Sequence, residues 1–390
     1  MTLILSYART PIGSFGGSLA PLTAPQLGAA AVRAAVDRAG VAPGMIERCI
    51  MGNVLSAGLG QAPARQAALG AGLPTSVEAI TVNKMCGSGM MAAMLAADAI
   101  AAGSAEVVVA GGMESMSNAP YLLSKHRQGA RIGHDVALDH MMFDGLEDAY
   151  ERGRSMGSFA EDAARAYGFT REAQDAFAIA SLIRAQAANA DGRSADEIVA
   201  VAVPGRRGET IVRDDEQPAR GDVARIPTLK AAFAEGGTIT AANASSISDG
   251  AAALVLASGQ EADRLGAMPI ARIVAHAAHA RAPAEFSVAP VGAIEKVLAK
   301  AGWQVGDVDL WEVNEAFACV AMIAMQDLDL PHDRVNIRGG ATALGHPIGA
   351  SGARVLCTLL SALRQTGGRR GVAALCIGGG EATAMAVELL

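Results

Sequence analysis

One pattern occurs twice in this chain and limits its fold more than any other feature. In the first half, Cys86-Gly-Ser-Gly89 opens an Ala/Met-rich helical stretch, followed by Ala105-Glu-Val-Val-Val-Ala-Gly-Gly-Met-Glu-Ser115. In the second, Gly349-Ala-Ser-Gly352 opens a helix, followed by Gly371-Val-Ala-Ala-Leu-Cys-Ile-Gly-Gly-Gly-Glu-Ala-Thr383. Each copy reads as small-residue turn, helix, apolar strand, glycine cluster, glutamate and hydroxyl residue. Two related halves packed face to face would point equivalent helix N-termini at a shared centre.

The remaining texture suits that plan. Short Val/Ile runs at 106–110, 50–55, 251–257 and 371–377 read as buried strands. Ala-rich segments at 27–39, 89–102, 174–188 and 353–365 read as helices. Strands alternating with helices predict an α/β architecture whose sheet is covered on both faces. With 390 residues the chain is long enough for two or three units that each bury a core.

Between the halves the character changes. The stretch from about 118 to 243 holds three of the seven histidines, the pair Arg206-Arg207 and the run Arg213-Asp-Asp-Glu216. Gly and Pro are frequent, so it reads as an insertion lying over the surface, where loops carry specificity. The predicted division is 1–118 plus 244–268 for the first half, 119–243 for the insertion and 269–390 for the second half.

Composition closes off several functions. Charged residues are 18% against 51% hydrophobic, too few for a disordered chain. A net charge of −7 gives no general attraction to nucleic acid or an anionic membrane, although a local basic patch can still hold a phosphate. Cys49, Cys86, Cys319, Cys357 and Cys376 are odd in number, scattered and without a CxxC pair, so neither a disulfide framework nor a zinc site is expected. The first nine residues lack a signal-peptide pattern, and the most apolar stretch, 89–103, is short and interrupted by Asp98. A soluble protein of a reducing compartment, the cytoplasm, with no membrane or nucleic-acid partner and no metal, is the expectation.

Four places carry chemistry. Asn83-Lys-Met-Cys-Gly-Ser-Gly89 sets Cys86 between an apolar segment and a helix N-terminus, whose unpaired N–H groups favour thiolate over thiol. A small buried hydrophobe is the other reading, and the residues alone leave both open. His346 stands among glycines in Gly339-Gly-Ala-Thr-Ala-Leu-Gly-His-Pro-Ile-Gly-Ala-Ser-Gly352, which permit close backbone approach by a reacting group. Cys376 ends an apolar strand and runs into Gly378-Gly-Gly380, a turn whose amides can bind an oxyanion. Asn314, after an apolar segment and before a helix, is on its own most simply an N-cap.

Other signals fail. Gly58-Leu-Gly-Gln-Ala-Pro63 imitates a dinucleotide fingerprint, but Pro63 and Arg65 stand where close helix packing is needed. No P-loop occurs, Ser14, Ser88 and Ser351 lie in Gly-rich turns but none sits in a GxSxG elbow, and His276-Ala-Ala-His279 has no further ligands nearby. Cys49, Cys319 and Cys357 lie in apolar patterns and read as core.

Taken together, Asn83–Gly89, Asn314-Glu-Ala-Phe317, Gly345-His-Pro-Ile-Gly-Ala-Ser-Gly352 and Cys376-Ile-Gly-Gly-Gly380 resemble the four signature blocks of thiolases, in the family's order. Asn243-Ala-Ser-Ser-Ile-Ser-Asp-Gly-Ala-Ala252 adds to the likeness, which spans nearly the whole chain from Ala8 onward. The resemblance implies two similar halves in a five-layer α-β-α-β-α arrangement with an inserted loop domain. Met141–Tyr150 and Ser155–Ser158 look like the loop of the biosynthetic branch, the acetyl-CoA C-acetyltransferases. That branch implies condensation of two acetyl-CoA to acetoacetyl-CoA and CoA, with CoA thioesters as substrates, no further cofactor, and a homotetramer or dimer.

By the same resemblance, Cys86 accepts the acyl group, His346 deprotonates it, and Cys376 removes a proton from the second acetyl-CoA. His346 and a water held by Asn314 face the enolate oxygen, and the amides of Cys86 and Gly378 face the acyl-enzyme carbonyl. Ser245 matches a pantetheine contact, and Met156 and Phe317 match acyl-pocket positions. Three positions depart from the family pattern: Ser155 stands where many biosynthetic members have histidine, Arg225 near a usual serine by the adenine, and Phe286 near a usual methionine of the acyl pocket. Arg225 could pair with a phosphate, and Phe286 would narrow the pocket. Two rivals remain: thiolysis of longer 3-ketoacyl-CoA, as in fatty-acid degradation, and non-catalytic acyl-CoA binding. A ketoacyl synthase is disfavoured by cysteine rather than histidine at 376.

Overall fold

The computed structural model describes residues 1–206 and 208–390, so Arg207 of the Arg206-Arg207 pair lies outside the described residues. The chain first lays down β1 (Thr2–Arg9), β2 (Gly13–Ser14), α1 (Ala24–Ala39), β3 (Arg48–Gly52) and α2 (Pro63–Gly70). Then come β4 (Glu78–Val82), α3 (Ser88–Ala101) and β5 (Val107–Ser115). The middle stretch holds two short ribbons, β6 (Tyr121–Leu122) with β7 (Leu138–Asp139) and β8 (Val201–Gly205) with β9 (Gly208–Val212). Between and after them run α4 (Met156–Ala166), α5 (Arg171–Ala190) and α6 (Glu216–Arg220). β10 (Ser248–Ser258) and α7 (Gly259–Leu265) lead to β11 (Ala271–Ala280), α8 (Ala289–Ala301), β12 (Leu310–Val313) and α9 (Ala318–Asp327). The chain closes with α10 (Ala341–Leu344), α11 (Ser351–Thr366), β13 (Arg370–Ile377) and β14 (Glu381–Leu389).

The strands line up as β4-β3-β5-β10-β1 in the first half and β11-β14-β13-β12 in the second. Each half has a parallel pair at its core, β3 with β5 and β12 with β13, and antiparallel strands beside it. The pairing of β3 with β4 has a reduced counterpart in the lone parallel bridge between Trp311 and Val335. Only two residue pairs, Leu3 with Arg272 and Ile4 with Ala271, join β1 to β11, so the two half-sheets form one continuous sheet at a narrow seam.

Alternation along the strands sorts the side chains into layers. Val107 and Val109 face outward, against Leu27, Val32 and Ala67 of α1 and α2. Val108 and Ala110 face inward, onto Met90 and Ile100 of α3 and Leu356 of α11. In the second half Ala373 and Leu375 meet that same inner layer, while Val372 and Ala374 pack outward on Ile294 and Val297 of α8 and on Ala321. Helices, sheet, helices, sheet, helices: this is the five-layer stack expected from the sequence. α1 starts where Gln26 Oε1 accepts the Thr23 N–H at 2.9 Å and stops at Gly40, in the left-handed region at φ 66°.

The two central helices meet at their N-termini through glycines. A Cβ on Gly89 would lie 2.7 Å from the Ala353 nitrogen, and one on Gly352 would collide with the Met90 nitrogen. Gly112 is equally tight against the Gly349 carbonyl, and a Cβ on Gly52 would lie 2.6 Å from the Ser88 carbonyl carbon. Thus the repeated small-residue turns exist so that two backbones can touch at the molecular centre. The middle stretch is anchored to this frame by a buried ion cluster: Arg9 makes paired bonds to Asp215 at 2.7 and 2.8 Å and one to Glu197 at 3.1 Å. Among the described residues no helix is long and apolar enough to cross a membrane.

Gly352→Ala should therefore lose roughly 1–3 kcal/mol of unfolding free energy, the usual range for overpacking. Gly44→Ala, where nothing lies within 4 Å of the added carbon, should stay within about 0.5 kcal/mol of the parent. Urea denaturation of the pair checks this, and equal midpoints would contradict the glycine contact.

Candidate active site between the helix N-termini

The edge strand β4 delivers Asn83–Cys86 to the start of α3 through a strained turn. Met85 has φ 46°, unusual for a residue with a side chain. Side chains hold it there: Asn83 Oδ1 accepts the Met85 N–H at 3.0 Å, the Lys84 N–H donates to Ser88 Oγ at 2.8 Å, and Ser88 donates to the Met85 carbonyl at 2.6 Å. Lys84 is tied across the halves to Glu381 at 2.7 Å. The turn projects the Cys86 thiol into a cavity, where the N–H groups of Gly378 and of Cys86 itself are directed at its sulfur.

At Cys86 the pull of the helix N-terminus towards thiolate is outweighed by burial. Enclosure within protein pushes the thiol up to about 11, with the buried Glu114 adding to the rise, and the two amides only partly offset it. Partial charge at a helix end is about half an elementary unit, whereas an unpaired thiolate would lose its whole hydration shell. The resting group is a neutral thiol that needs a base.

His346 supplies one. Gly345, at φ 107° and with no room for a Cβ beside Ser248, swings the chain so that the His346 N–H meets the Ser246 carbonyl at 3.0 Å. Nδ1 lies 2.6 Å from Ser351 Oγ, whose single hydroxyl hydrogen donates to the Pro347 carbonyl at 3.0 Å. Ser351 must therefore accept from Nδ1–H, which leaves Nε2 as the bare, basic nitrogen. Nε2 is buried and has no hydrogen-bond partner. Burial, helped by the positive charge of Arg354, lowers the imidazole to about 3, so it is neutral at working pH.

Cys376, the last residue but one of β13, has 1% of its surface exposed; burial and the neighbouring sulfurs of Cys86 and Cys319 raise its thiol. The following glycines turn with φ 93° at Gly379 and 88° at Gly380, where a Cβ would meet the Ala282 carbonyl at 2.5 Å. Asn314 is not the N-cap that its position suggested. α9 begins four residues later, at Ala318, with Phe317 at the cap. Instead Asn314 Oδ1 accepts from Arg354 Nη2 at 3.3 Å, and its buried Nδ2 is unpartnered. The next residue, Glu315, is fully engaged by Ser181, Asn336 and Thr342 at 2.6–2.8 Å and has a structural role.

Cys86, His346, Cys376 and Gly378 line a single cavity of about 400 Å³, mostly apolar, together with Ser245, Met156, Phe317 and Phe286. Phe317 meets Phe233 and Phe286 edge to face, with ring centroids 5.9 and 6.2 Å apart, and these rings wall one side. Ser155 lies on the lining, as do Met142, Gly145 and Leu146 of a π-helical turn in the middle stretch. Asn314 is buried and does not line the cavity. Arg225 is not brought there either; it borders a separate hollow of about 280 Å³ with Arg220, Gln217 and Asp222, which shares Ala241 with the main cavity.

Sequence reading passed over Ser351, Arg354 and Glu114. Glu114 accepts from Asn53 Nδ2 and from the amides of Val54, Leu55 and Gly349 at 2.8–3.1 Å, pinning the glycine loop of His346 to the first half. One signal was available: Ser351 repeats Ser88 at the first residue of its helix, so a role for either suggests a role for both.

A thiol, an imidazole and a second thiol thus open onto one cavity at the join of two similar halves, an arrangement with the groups that acyl transfer between thiols requires. The sequence models of the thiolase N-terminal and C-terminal domains match residues 2–260 and 267–389, so the chain belongs to the thiolase family. It is 49% identical over 388 residues to an acetyl-CoA acetyltransferase of Cupriavidus necator, covering 99% of this chain and 98% of that one. With acetyl-CoA acetyltransferase 2 of Arabidopsis thaliana the identity is 51% over 390 residues, covering 99% and 96%. Among solved structures, the Acat5 thiolase of Ascaris suum in complex with coenzyme A superposes with a TM-score of 0.94 at 42% identity, over 100% of both chains. The Bacillus anthracis acetyl-CoA acetyltransferase does so with 0.97 at 40% identity, over 100% of this chain and 98% of that one.

Because a raised thiol gains thiolate as pH rises towards its shifted value, alkylation of Cys86 by iodoacetamide without substrate should keep accelerating through pH 9, on the way to about 11. Peptide mass spectrometry after timed quenching measures it. A rate that levels off below pH 8 would mean a resting thiolate and contradict the burial argument.

Proposed function

We propose that this protein is an acetyl-CoA C-acetyltransferase, condensing two acetyl-CoA to acetoacetyl-CoA and free CoA, reversibly, through an acetyl-Cys86 intermediate. The observation that carries the reading is the convergence of two sulfurs, one neutral imidazole and two backbone amides on one largely apolar cavity. Its relatives at about half identity over the full chain are acetyl-CoA acetyltransferases.

The residues divide the work as follows. Cys86 gives its proton to His346 Nε2 while the sulfur attacks the acetyl carbonyl; the carbonyl oxygen gathers charge at the amides of Cys86 and Gly378. The carbon–sulfur bond to CoA breaks, and CoA leaves with the proton from His346. A sulfur nucleophile keeps the intermediate a thioester, close in energy to the substrate. Cys376 then passes its proton to the free Nε2 and takes one from the methyl carbon of the second acetyl-CoA. The enolate oxygen faces His346 Nε2–H and a water on the unpartnered Asn314 Nδ2. The carbanion attacks acetyl-Cys86, and the departing Cys86 sulfur recovers its proton from His346. Loss of one such donor costs about 2.7–4 kcal/mol in barrier, so Asn314, which holds the water, matters to the condensation step on this reading.

Substrate recognition follows from the walls. Ser245, and Ser155 in place of the common histidine, face the pantetheine arm, while Met156, Phe317 and Phe286 bound the acyl group. Arg225 with Arg220 offers positive charge for a phosphate at the neighbouring hollow. We assign the protein to the cytoplasm, as suits five free cysteines, and to a homotetramer rather than a dimer. The exposed edge strand β4 with Ile80, and the exposed Leu123, Ile132 and Val136 of the middle stretch, offer surfaces for two kinds of contact.

The closed aromatic wall favours acetoacetyl-CoA over longer substrates. kcat/KM for thiolysis should be higher with acetoacetyl-CoA than with 3-ketodecanoyl-CoA, and Phe286→Ala should narrow the gap; the opposite preference would assign the protein to fatty-acid degradation. Cys376→Ser should still form acetyl-Cys86 on incubation with acetyl-CoA but lose condensation by at least about a hundredfold, in the range for removing an acid–base group. Failure of Cys376→Ser to acetylate, with a folded protein, would overturn the division of labour. Absence of any acetyl-Cys86 in the parent would favour an acyl-CoA binder.

A further inference from the structure

Two asparagines occupy like places in the two halves, and their side chains are turned opposite ways. Asn53 follows the last residue of β3, and Asn314 follows the last residue of β12. In the first half the partner is an acceptor: Asn53 Nδ2 donates to Glu114 Oε1 at 2.8 Å and to the Met113 carbonyl at 3.2 Å, so its N–H groups are consumed. In the second half the partner is a cation: Arg354 Nη2 donates to Asn314 Oδ1 at 3.3 Å, and Nδ2 is buried without a partner. An amide has one acceptor end and one donor end, so the charge of its neighbour decides which end is left over.

Arg354 is itself held by the second half. It is the fourth residue of α11, where α3 has Met91, and only 2% of it is exposed. Glu312 lies two residues before Asn314, on the same side of the strand, with Oε2 3.6 Å from Arg354 Nη1. One guanidinium thus spans the strand end and the helix, while the first residue of that helix, Ser351, fixes His346. The first turn of α11 therefore sets both groups that would face the enolate oxygen.

We propose that Arg354 is a positioning residue for the condensation step: by occupying Asn314 Oδ1 it prevents the amide from flipping and keeps Nδ2 as the donor that holds the water facing the reacting enolate. This rests on the reading that Asn314 Nδ2 serves that enolate. Acylation of Cys86 uses other donors, the amides of Cys86 and Gly378, so Arg354 reaches that step only through the charge by which it helps to lower the His346 imidazole, a smaller contribution than burial.

The test compares two half-reactions in Arg354→Met, Arg354→Lys, the charge-free pair Glu312→Gln/Arg354→Met, and Asn314→Ala. Acetylation of Cys86 is followed by mass spectrometry. Enolisation is followed as deuterium lost from the methyl group of trideuteroacetyl-CoA, with condensation kcat alongside. The double variant removes both buried charges together and so guards against misfolding from an unpaired carboxylate. Expected are acetylation rates within about threefold of the parent and enolisation lowered by on the order of ten- to a hundredfold in both Met variants, below the full cost of a lost donor. Arg354→Lys, which keeps a donor, should recover part of the loss, and adding Arg354→Met to Asn314→Ala should bring little further loss. Enolisation unchanged in the Met variants but slowed in Asn314→Ala would overturn the role of Arg354 alone. Enolisation unchanged in Asn314→Ala would instead overturn the assignment of Asn314. Equal losses in acetylation and enolisation would show Arg354 to be merely structural.

Discussion

Backbone contact between two helix ends at the molecular centre sets everything else in this structure. Gly89 sits against Ala353 and Gly352 against Met90, with no room for a side chain at either glycine. Because the helices touch there, the residues just before them, Cys86 in one half and His346 in the other, open into one cavity. Looser packing would separate a sulfur from its base by the width of a side chain. The demand spreads outward through Gly52, Gly112 and Gly349, each pressed against backbone or a buried carboxylate of its neighbour. The repeated glycines are thus geometric requirements of a shared centre, and the side chains of Cys86 and His346 are placed by them.

Burial then decides the protonation states. A thiol pushed up to about 11 beside an imidazole lowered to about 3 rests as a neutral pair, without separated charge in an apolar pocket. Both shifts have the same cause, since each charged form would be stripped of water. On the proposed mechanism this arrangement withholds the ion pair until an acyl carbonyl is present, when the two amides gain an oxyanion to bind. The donors are fixed in advance by Ser88, Ser351 and the glycine turns, so little reorganisation accompanies the reaction.

Much of this was legible in the residues. Cysteine beside glycine at a helix start, histidine among glycines and cysteine before a glycine turn each restrict local backbone, and restricted backbone leaves marks in sequence. The four strands and four helices read from periodicity all occur, with ends displaced by a few residues. β14 and β11 were not foreseen: Glu-Ala-Thr-Ala-Met-Ala-Val-Glu-Leu and Ala-Arg-Ile-Val-Ala-His-Ala-Ala-His-Ala are alanine-rich, and their extended state comes from sheet neighbours rather than local preference. Asn314 looked like a cap because nothing local shows that the helix waits until Ala318. Arg225 borders a neighbouring hollow rather than the acyl cavity, a placement set by the packing of its turn, Val223–Thr228, on α5 that no local pattern shows. At Cys86 the helix end that favours thiolate is visible in sequence, whereas the burial that raises the thiol is not.

Duplication explains how one frame came to hold two kinds of chemistry. Ser88 and Ser351 begin equivalent helices, and each donates its hydroxyl hydrogen to the carbonyl of the turn before it. From that common base the halves diverge by single residues. Cysteine stands before Gly87 in one, glycine before Ala350 in the other; Met91 faces the central layer in one, Arg354 a buried carboxylate in the other. The first half keeps its asparagine closed against Glu114, a structural clasp that also holds the loop of His346. The second half turns its asparagine the other way, with a donor to spare. An accepting neighbour beside one asparagine and a donating neighbour beside the other are enough to leave opposite ends of the amide unpaired.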